Sequence, residues 1–405
     1  MRLKSLCHVI LTAALLVLSA GGAFAQSGAS GNIEGIVTDS TGGVLPGVTV
    51  TIRNMATNVS RETVTESNGR YRAAALQPGK YEVTAALSGF QAQPISNIEV
   101  QIGQTAPVDV KMHAAGVAET VMVTSEAPVI DTRRTDVSNV IGEVAMENLP
   151  VTGRRWDNFV LLSPGVTNDG NFGLVSYRGI SGLYNNNMVD GVDNNQAFFS
   201  EARGRTRIAY SISESSIKEF QVGVSNMSAE FGRSAGGTVN AVTKSGGNAF
   251  SGEGFYFLRD SAFQARNPKI ILPDPTAKPD ERRQQFGAAV GGPIKKDKVF
   301  FFGDYDQQVR NFPIFATPGD PTFLGSQSSG CSAPAANCAS TLAFFQGLNT
   351  LTPRNGDNKV GLMKVDYSVN PANTFSLSYN AHRWNSPNGV QTQPTVNIAE
   401  SMNGT

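Results

Sequence analysis

Histidine and cysteine are the side chains that most often hold a catalytic metal or act as nucleophiles, and this 405-residue chain has three of each: His8, His113 and His382, and Cys7, Cys331 and Cys338. A zinc hydrolase needs His and Glu ligands around an open metal position, together with a general base. His8 falls in an N-terminal apolar run, while His113 and His382 are far apart and neither stands in a His-x-x-Glu or His-Glu-x-x-His spacing. His113 reads as the end of a strand and His382 as part of a later one, so both are assigned to structure. The cysteines are too few for a disulfide scaffold and lack zinc-knuckle spacing. No nucleophile elbow, phosphate loop or locally supported acid pair stands in the chain. The sequence therefore predicts no enzyme and no metal or other cofactor.

Charge narrows the partners. Lys+Arg and Asp+Glu balance at 33 each and no basic run occurs, which argues against nucleic acid. With 42 Gly and 22 Phe among few charges, the composition suits a turn-rich β protein. Residues 1–25 read as a signal peptide: Arg2 and Lys4 precede an apolar run from Val9 to Leu18, and Ala23-Phe24-Ala25 forms a small-x-small cleavage site before Gln26. That run is too short to span a bilayer, which takes about 20 residues. No later stretch of 18 apolar residues exists. Membrane residence is therefore expected as a β-barrel or through a bound periplasmic partner.

The elements follow from alternation and turn residues. In Val48-Thr49-Val50-Thr51-Ile52-Arg53 the apolar residues fall on one face of a strand. Turn signals at Gly42-Gly43, Pro46-Gly47, Asn68-Gly69, Pro78-Gly79 and Ser88-Gly89 cut Gly31 to Met112 into six or seven short strands, a small β-sandwich. The runs GIVTDSTGGVLPGVTVTI and ESNGRYRAAALQPGKYEVTAALSGF resemble the carboxypeptidase regulatory-like domain, a transthyretin-like sandwich. The resemblance implies a spacer or binding module rather than catalysis.

The most polar organised stretch is SYRGISGLYNNNMVDGVDNN, Ser176 to Asn195, in which Met188-Val189 reads as a short strand between turn residues. Its backbone groups need partners, so it belongs on a surface or within a wet enclosure. With Arg178-Gly179 and Asp190-Gly191 in place it resembles the plug domain of TonB-dependent outer-membrane receptors, which folds inside a β-barrel. Upstream, the strip Glu119, Thr120, Val121, Met122, Val123 and Thr124 resembles the TonB box of that family. The resemblance implies strand pairing with a TonB-type energy transducer, main-chain bonds giving affinity and alternate side chains register. From pattern alone an edge strand of the sandwich or a first plug strand fits equally. Arg154 to Ser163 has Trp156, Phe159 and Val160 at helical spacing and predicts a short core helix stopped by Pro164-Gly165. Ser213 to Ile217 reads as a helix start leading into the strand Glu219 to Val224. The stretch from Ala235 to Gly246 resembles the plug-to-barrel junction of the Oar-like group, whose glycines would let plug backbone approach the barrel wall.

Beyond Gly246 the segments Ser251–Asp260, Arg283–Ile294, Lys298–Val309, Val360–Tyr367 and Phe375–Ala381 have transmembrane-strand length and dyad alternation. A soluble sandwich shares that pattern. Between them lies a Pro-, Ser-, Gly- and Ala-rich loop, residues 311–354, placed outside the cell by the rule that barrel loops are long there. Its Cys331 and Cys338 enclose six residues in an oxidising compartment and are expected to form a disulfide, with two free thiols as the alternative. Five strands do not close a barrel around a plug, so the sequence is read as the N-terminal portion of a longer receptor or as an incomplete gene product.

The expectation is thus a mainly β chain: signal peptide 1–25, transthyretin-like β-sandwich 26–113, linker with the TonB-box-like strip 114–127, α+β plug domain 128–244, and the first strands of a transmembrane β-barrel over 245–405. The resemblance implies a receptor in the cell outer membrane, its sandwich in the periplasm. It would bind an external oligosaccharide, peptide or siderophore and import it by energy-coupled plug movement. Carbohydrate binding is among the expected activities. The alternative is an adhesion or assembly protein that uses plug and barrel as a platform without import.

Overall fold

The computed structural model describes residues 29–91, 94–114, 136–149, 154–169, 174–195, 210–227, 231–265, 281–311, 314–315, 336–341, 351–352, 355–371 and 373–386. The N-terminal unit contains β1 (Gly31–Thr38), β2 (Thr49–Asn54), β3 (Ser60–Val64), β4 (Arg70–Leu76), β5 (Gly79–Ala86), β6 (Phe90–Gln91), β7 (Ile95–Val100), β8 (Thr105–Pro107), β9 (Val110–Lys111) and β10 (His113–Ala114). Six of these have five or more residues; the others, two or three residues long, escape a reading based on alternation. One sheet has the order β3-β2-β5-β7, and the other has β4-β1-β8 with β9 also on β1. Both sheets feed one apolar core, to which Ile33, Val50, Ile52, Tyr71, Val83 and Ile98 contribute. Val48, Val50 and Ile52 are the inward face that alternation indicated, each at most 1% exposed. The buried Tyr71 hydroxyl donates to the Val108 carbonyl at 2.7 Å, so its polar end is satisfied.

The second unit contains β11 (Val137–Gly142), α1 (Glu143–Asn148), β12 (Val166–Asp169), β13 (Leu174–Tyr177), β14 (Asn186–Val189), β15 (Val192–Asp193), β16 (Ile217–Ser225) and β17 (Thr238–Thr243). Its main sheet has the order β11-β16-β17-β14-β15, with β14 parallel to β17. The expected helix around Trp156 is a 3-10 helix over Trp156–Leu162. The bonds from Asn158 N to Arg155 O and from Ser163 N to Val160 O show the tighter three-residue winding, which suits a segment this short stopped by Pro164. Trp156 packs edge-on against Phe220, ring centroids 5.3 Å apart, in a core with Phe159, Val160, Tyr177 and Val222.

The third unit is one antiparallel sheet of long strands, β18 (Ser251–Asp260), β19 (Arg282–Lys295), β20 (Val299–Asn311), β23 (Asn355–Asn370) and β24 (Asn373–Asn385), in that order; β21 (Ile314–Phe315) pairs separately with β22 (Leu351–Thr352). Its faces are reversed relative to a soluble sheet. On β23 the buried positions include Asn358, Lys364, Asp366 and Ser368, whereas Met363, Val365, Tyr367 and Val369 are exposed. Phe375, Leu377 and Tyr379 on β24 extend that apolar outer face, each about 60% exposed or more. In water this arrangement would waste apolar burial; against lipid it is the required one. No helix among the described residues is long and apolar enough to cross a membrane.

Candidate functional site: the plug and its seat on the wall

The segment 210–216, which runs through the 3-10 turn Glu214–Ser216 into β16 of the second unit, the expected plug, lies along the polar inner face of the third unit's sheet, the wall. Five bonds fix it there. Tyr210 donates its hydroxyl to Asp306 Oδ1 at 2.5 Å and Ser213 donates to Asp306 Oδ2 at 2.8 Å. Ser216 donates to Asp304 Oδ1 at 2.6 Å. The amides of Asn358 and Asn380 donate to the carbonyls of Tyr210 and Ser211 at 3.1 and 3.0 Å. Asp304 and Asp306 are two apart on β20, so the strand pleat presents both to the plug. Burial and the neighbouring Asp306 carboxylate push the Tyr210 phenol up, which keeps it protonated and donating. His382 stands 2.8 Å from Asn358 Oδ1 and steadies a member of this seat, in keeping with its structural assignment.

A second contact uses charge and rings. Arg154 sits 4.1 Å above the Phe255 ring of β18, 3.5 Å from Glu214, and donates to Ser215 Oγ at 2.9 Å. Burial raises the Glu214 carboxyl above its ordinary range, while Arg154 opposes that shift.

The sequence-selected pairs Arg178-Gly179 and Asp190-Gly191 are both two-residue turns with positive φ throughout: 52° and 81° in the first, 50° and 77° in the second. That is the backbone demanded by tight hairpin turns whose twist matches the flanking strands. The structure does not bring the pairs into one site. Arg178 is exposed and donates to Ser225 Oγ at 3.1 Å. Asp190 instead accepts from Thr243 N at 2.9 Å and Thr243 Oγ1 at 2.6 Å, next to Lys364 Nζ of the wall at 3.9 Å. Lys364, 7% exposed, donates to Thr243 Oγ1 at 3.0 Å and so ties β23 to the end of the plug sheet. The asparagines between the pairs satisfy backbone: Asn185 donates to Val175 O at 2.7 Å and Asn186 to Gly232 O at 2.9 Å.

Of the junction glycines, Gly246 makes the close approach to the wall expected of it, whereas Gly237 packs against Tyr177 within the plug. A Cβ on Gly246 would lie 2.3 Å from Phe301 O and 2.6 Å from Gly292 O, both wall backbone, and one on Gly237 would lie 2.2 Å from the Tyr177 ring. A cavity of about 1210 Å³ opens between sandwich, plug and wall, with Lys218, Glu219, Lys244, Lys364 and Asp190 among its lining residues. Lys244 is paired with Glu143 at 2.6 Å.

The strip Glu119–Thr124 lies outside the described residues, as does Cys331; Cys338 is disulfide-bonded. Among the described residues no group of three or more His, Cys, Asp or Glu is arranged to hold a metal ion. The seat residues Tyr210, Ser213, Asp304, Asp306 and Asn358 were not selected from the sequence. Their one signal is the alternation of Asp304, Asp306 and Gln308 on a strand whose inner face is polar.

Residues 32–113 match the carboxypeptidase regulatory-like domain and residues 242–318 match an outer membrane beta barrel domain. The TonB-dependent transporter Oar of Myxococcus xanthus is 30% identical over 311 residues, an alignment covering 73% of this chain and 28% of that relative. Among solved structures, a variant of the ferric enterobactin receptor of Pseudomonas aeruginosa is similar at 14% identity and a TM-score of 0.42, over 66% of this chain and 34% of that one. The outer membrane transporter YddB of Escherichia coli is similar at 13% identity and a TM-score of 0.45, over 62% of this chain and 34% of that one. The chain therefore spans about a third or less of the length of these proteins. By these matches it is a mainly β outer-membrane protein that carries a carboxypeptidase regulatory-like domain and is similar to the TonB-dependent transporter Oar.

Proposed function

We propose that the chain forms the periplasmic sandwich, plug and opening wall strands of a receptor that binds an external substrate and imports it when a TonB-type transducer draws the plug. The observation that supports this most directly is the two-faced wall: apolar residues such as Met363, Leu377 and Tyr379 point outward while the plug is hydrogen-bonded to Asp304, Asp306 and Asn358 on the inner side. A seat made of hydrogen bonds can be exchanged for water, which an apolar seat cannot do at similar cost. The related transporter's name supports coupling to the transducer. In this reading the division is 26–113 sandwich, 114–127 linker, 128–244 plug and 245–405 wall, with Cys331 and Cys338 as the disulfide of the outer loop 311–354. The substrate class is an oligosaccharide, a peptide or a siderophore.

Within this reading, Glu119–Thr124 pairs in extended form with the transducer. Val121→Pro removes a backbone donor and should lower co-purification of the transducer's periplasmic domain at least about tenfold. Unchanged co-purification would refute the assignment of the strip. Uptake of labelled oligosaccharides, peptides or siderophores that stops when the transducer is deleted separates import from an adhesion or assembly platform.

A further inference from the structure

The sandwich touches both partners of the seat, and the two contacts differ in kind. On the plug side, Ile102 in the turn between β7 and β8 is fully buried, in an apolar cluster with Ala29 and Val242 against which Val140 packs. Its backbone N–H donates to Glu219 Oε1 of β16 at 2.5 Å. Beside it, Lys218 donates to the Pro78 carbonyl, and Gly103 lies so close to Gln221 that a Cβ there would come within 2.5 Å of the Gln221 amide oxygen. On the wall side the contact is mostly polar and mostly exposed: Asn58, Ala56 and Asp297 are exposed, Asn248 is half-buried, and Gly247 lies beside Ala56. Asn58 donates to Asp297 in the β19–β20 turn at 3.0 Å, and the N–H of Asn248, itself bonded to Asp297, donates to Ala56 O at 2.8 Å.

We propose that the sandwich is a component of the plug unit: it is fixed to β16 through Ile102 and Glu219, only tacked to the wall turn, and parts from the wall when the plug shifts. The directional part rests on the import reading; the asymmetry of the two contacts does not. A buried apolar side chain joined to a buried carboxylate–amide bond holds more firmly than exposed amide–carboxylate pairs, for which water competes directly. The sequence places a pull in the right position, because the 21 residues between Ala114 and Asp136 join the sandwich to the first plug strand.

Two amides report the two contacts separately. Ile102 N–H has its acceptor on the plug, and Asn248 N–H has its acceptor on the sandwich. Residue-resolved hydrogen exchange is measured on the intact protein in outer-membrane vesicles, without substrate or transducer. Asn248 is expected to exchange at least about tenfold faster than Ile102, each corrected for its intrinsic rate. Asp297→Ala, or Asn58→Ala from the sandwich side, should speed Asn248 further and leave Ile102 unchanged. Equal rates, faster exchange at Ile102, or equal acceleration of both amides by these variants would overturn the proposal. None of these outcomes depends on uptake, so a failed import reading would leave the result standing.

Discussion

Asp306 is the acceptor on which the plug's seat depends most. It is fully buried, takes hydrogen bonds from Tyr210 and Ser213 of the plug, and lies 3.3 Å from the Gln285 amide on its own wall. Asp306→Ala leaves two plug hydroxyls without their acceptor. Each orphaned donor costs roughly 1–3 kcal/mol. The Gln285 amide nitrogen, 3.2 Å from the Tyr210 oxygen, is itself a donor and cannot take the tyrosine proton, so both hydroxyls carry the full cost. Together the two give about 2–6 kcal/mol, or about 30- to 25,000-fold in the equilibrium that frees residues 210–216 from the wall. The bonds from Asn358, Asn380 and Ser216 remain, so the segment loosens without the wall losing its fold. Exchange of the Ser216 amide, which is bonded to Ser213 O, measures this opening, and the Phe220 amide inside β16 is the internal control. The expected result is acceleration at Ser216 by at least about 30-fold with little change at Phe220. A double-mutant cycle with Tyr210→Phe should show a coupling of at least about 1 kcal/mol. Unaltered exchange at Ser216, or strict additivity in the cycle, would refute the seat as described.

Two further perturbations test the junction and the sandwich contact. Gly246→Ala sets a Cβ against backbone of two wall strands, which cannot rotate aside, so it should cost about 1–3 kcal/mol by overpacking and raise protease sensitivity of the plug; Gly232→Ala, with open space around its Cβ, should stay within about 0.5 kcal/mol, and equal effects would contradict the close approach. Burial raises the Glu219 carboxyl from 4.5 to about 6, against the Ile102 N–H bond and nearby Lys218 that favour its charge, with Glu99 adding to the rise. The docked state then holds a proton between those two values that the undocked state releases, so docking is strengthened at acid pH and weakens as pH rises through about 6. Protection of the Ile102 amide, corrected for intrinsic rates, should be up to about eightfold higher at pH 5 than at pH 7.5, and Glu219→Gln should flatten the dependence. A rise in protection toward pH 7.5 would contradict the assignment.

The parts of the fold that can be read from sequence are those whose signal is local. Val48, Val50 and Ile52 announce their face because one side of β2 is buried and the other wet, so period-2 alternation survives in the residue types. The wall strands were recognisable by length and alternation, but their facing was not. On β20 Phe300 and Phe302 point inward and are buried while Phe301 between them is only partly buried, so aromatic identity does not separate lipid from lumen. The seat left still less trace. Tyr210 and Asp306 are 96 residues apart, and Ile102 and Glu219 are 117 apart; a serine, a tyrosine and two aspartates are unremarkable until the sheet brings them together. Gly246 was legible because a glycine cluster before a barrel strand needs a reason, and close backbone approach is the commonest. Asp190-Gly191 was legible as a turn, whereas Arg178-Gly179 stood out only through the plug resemblance and its turn was not read. Only Asp190 adds a link toward the wall, since Arg178 faces away toward Ser225.

The balance between seat and core decides how such a plug gives way. Five hydrogen bonds hold residues 210–216 to the wall; three accepted by carboxylates at about 1.5–3 kcal/mol each and two neutral ones at about 0.5–1.5 kcal/mol sum to roughly 6–12 kcal/mol. Inside the plug, Phe159, Val160, Ile217, Phe220 and Val222 are each at most 1% exposed, as are Tyr177 and Ala241. At about 1.5–3 kcal/mol apiece the first five are worth roughly 8–15 kcal/mol, before Trp156, Tyr177 and the rest of that core are counted. Even after the reduction that a compact unfolded chain imposes, the whole core of fifteen buried residues outweighs the seat. The polar seat also has a replacement available, because water admitted along the inner face can take over each bond in turn, while nothing in that space substitutes for a buried Phe220. Separation from the wall is therefore the lower-cost opening, and the plug sheet should keep its packing while the segment at Tyr210–Ser216 lets go.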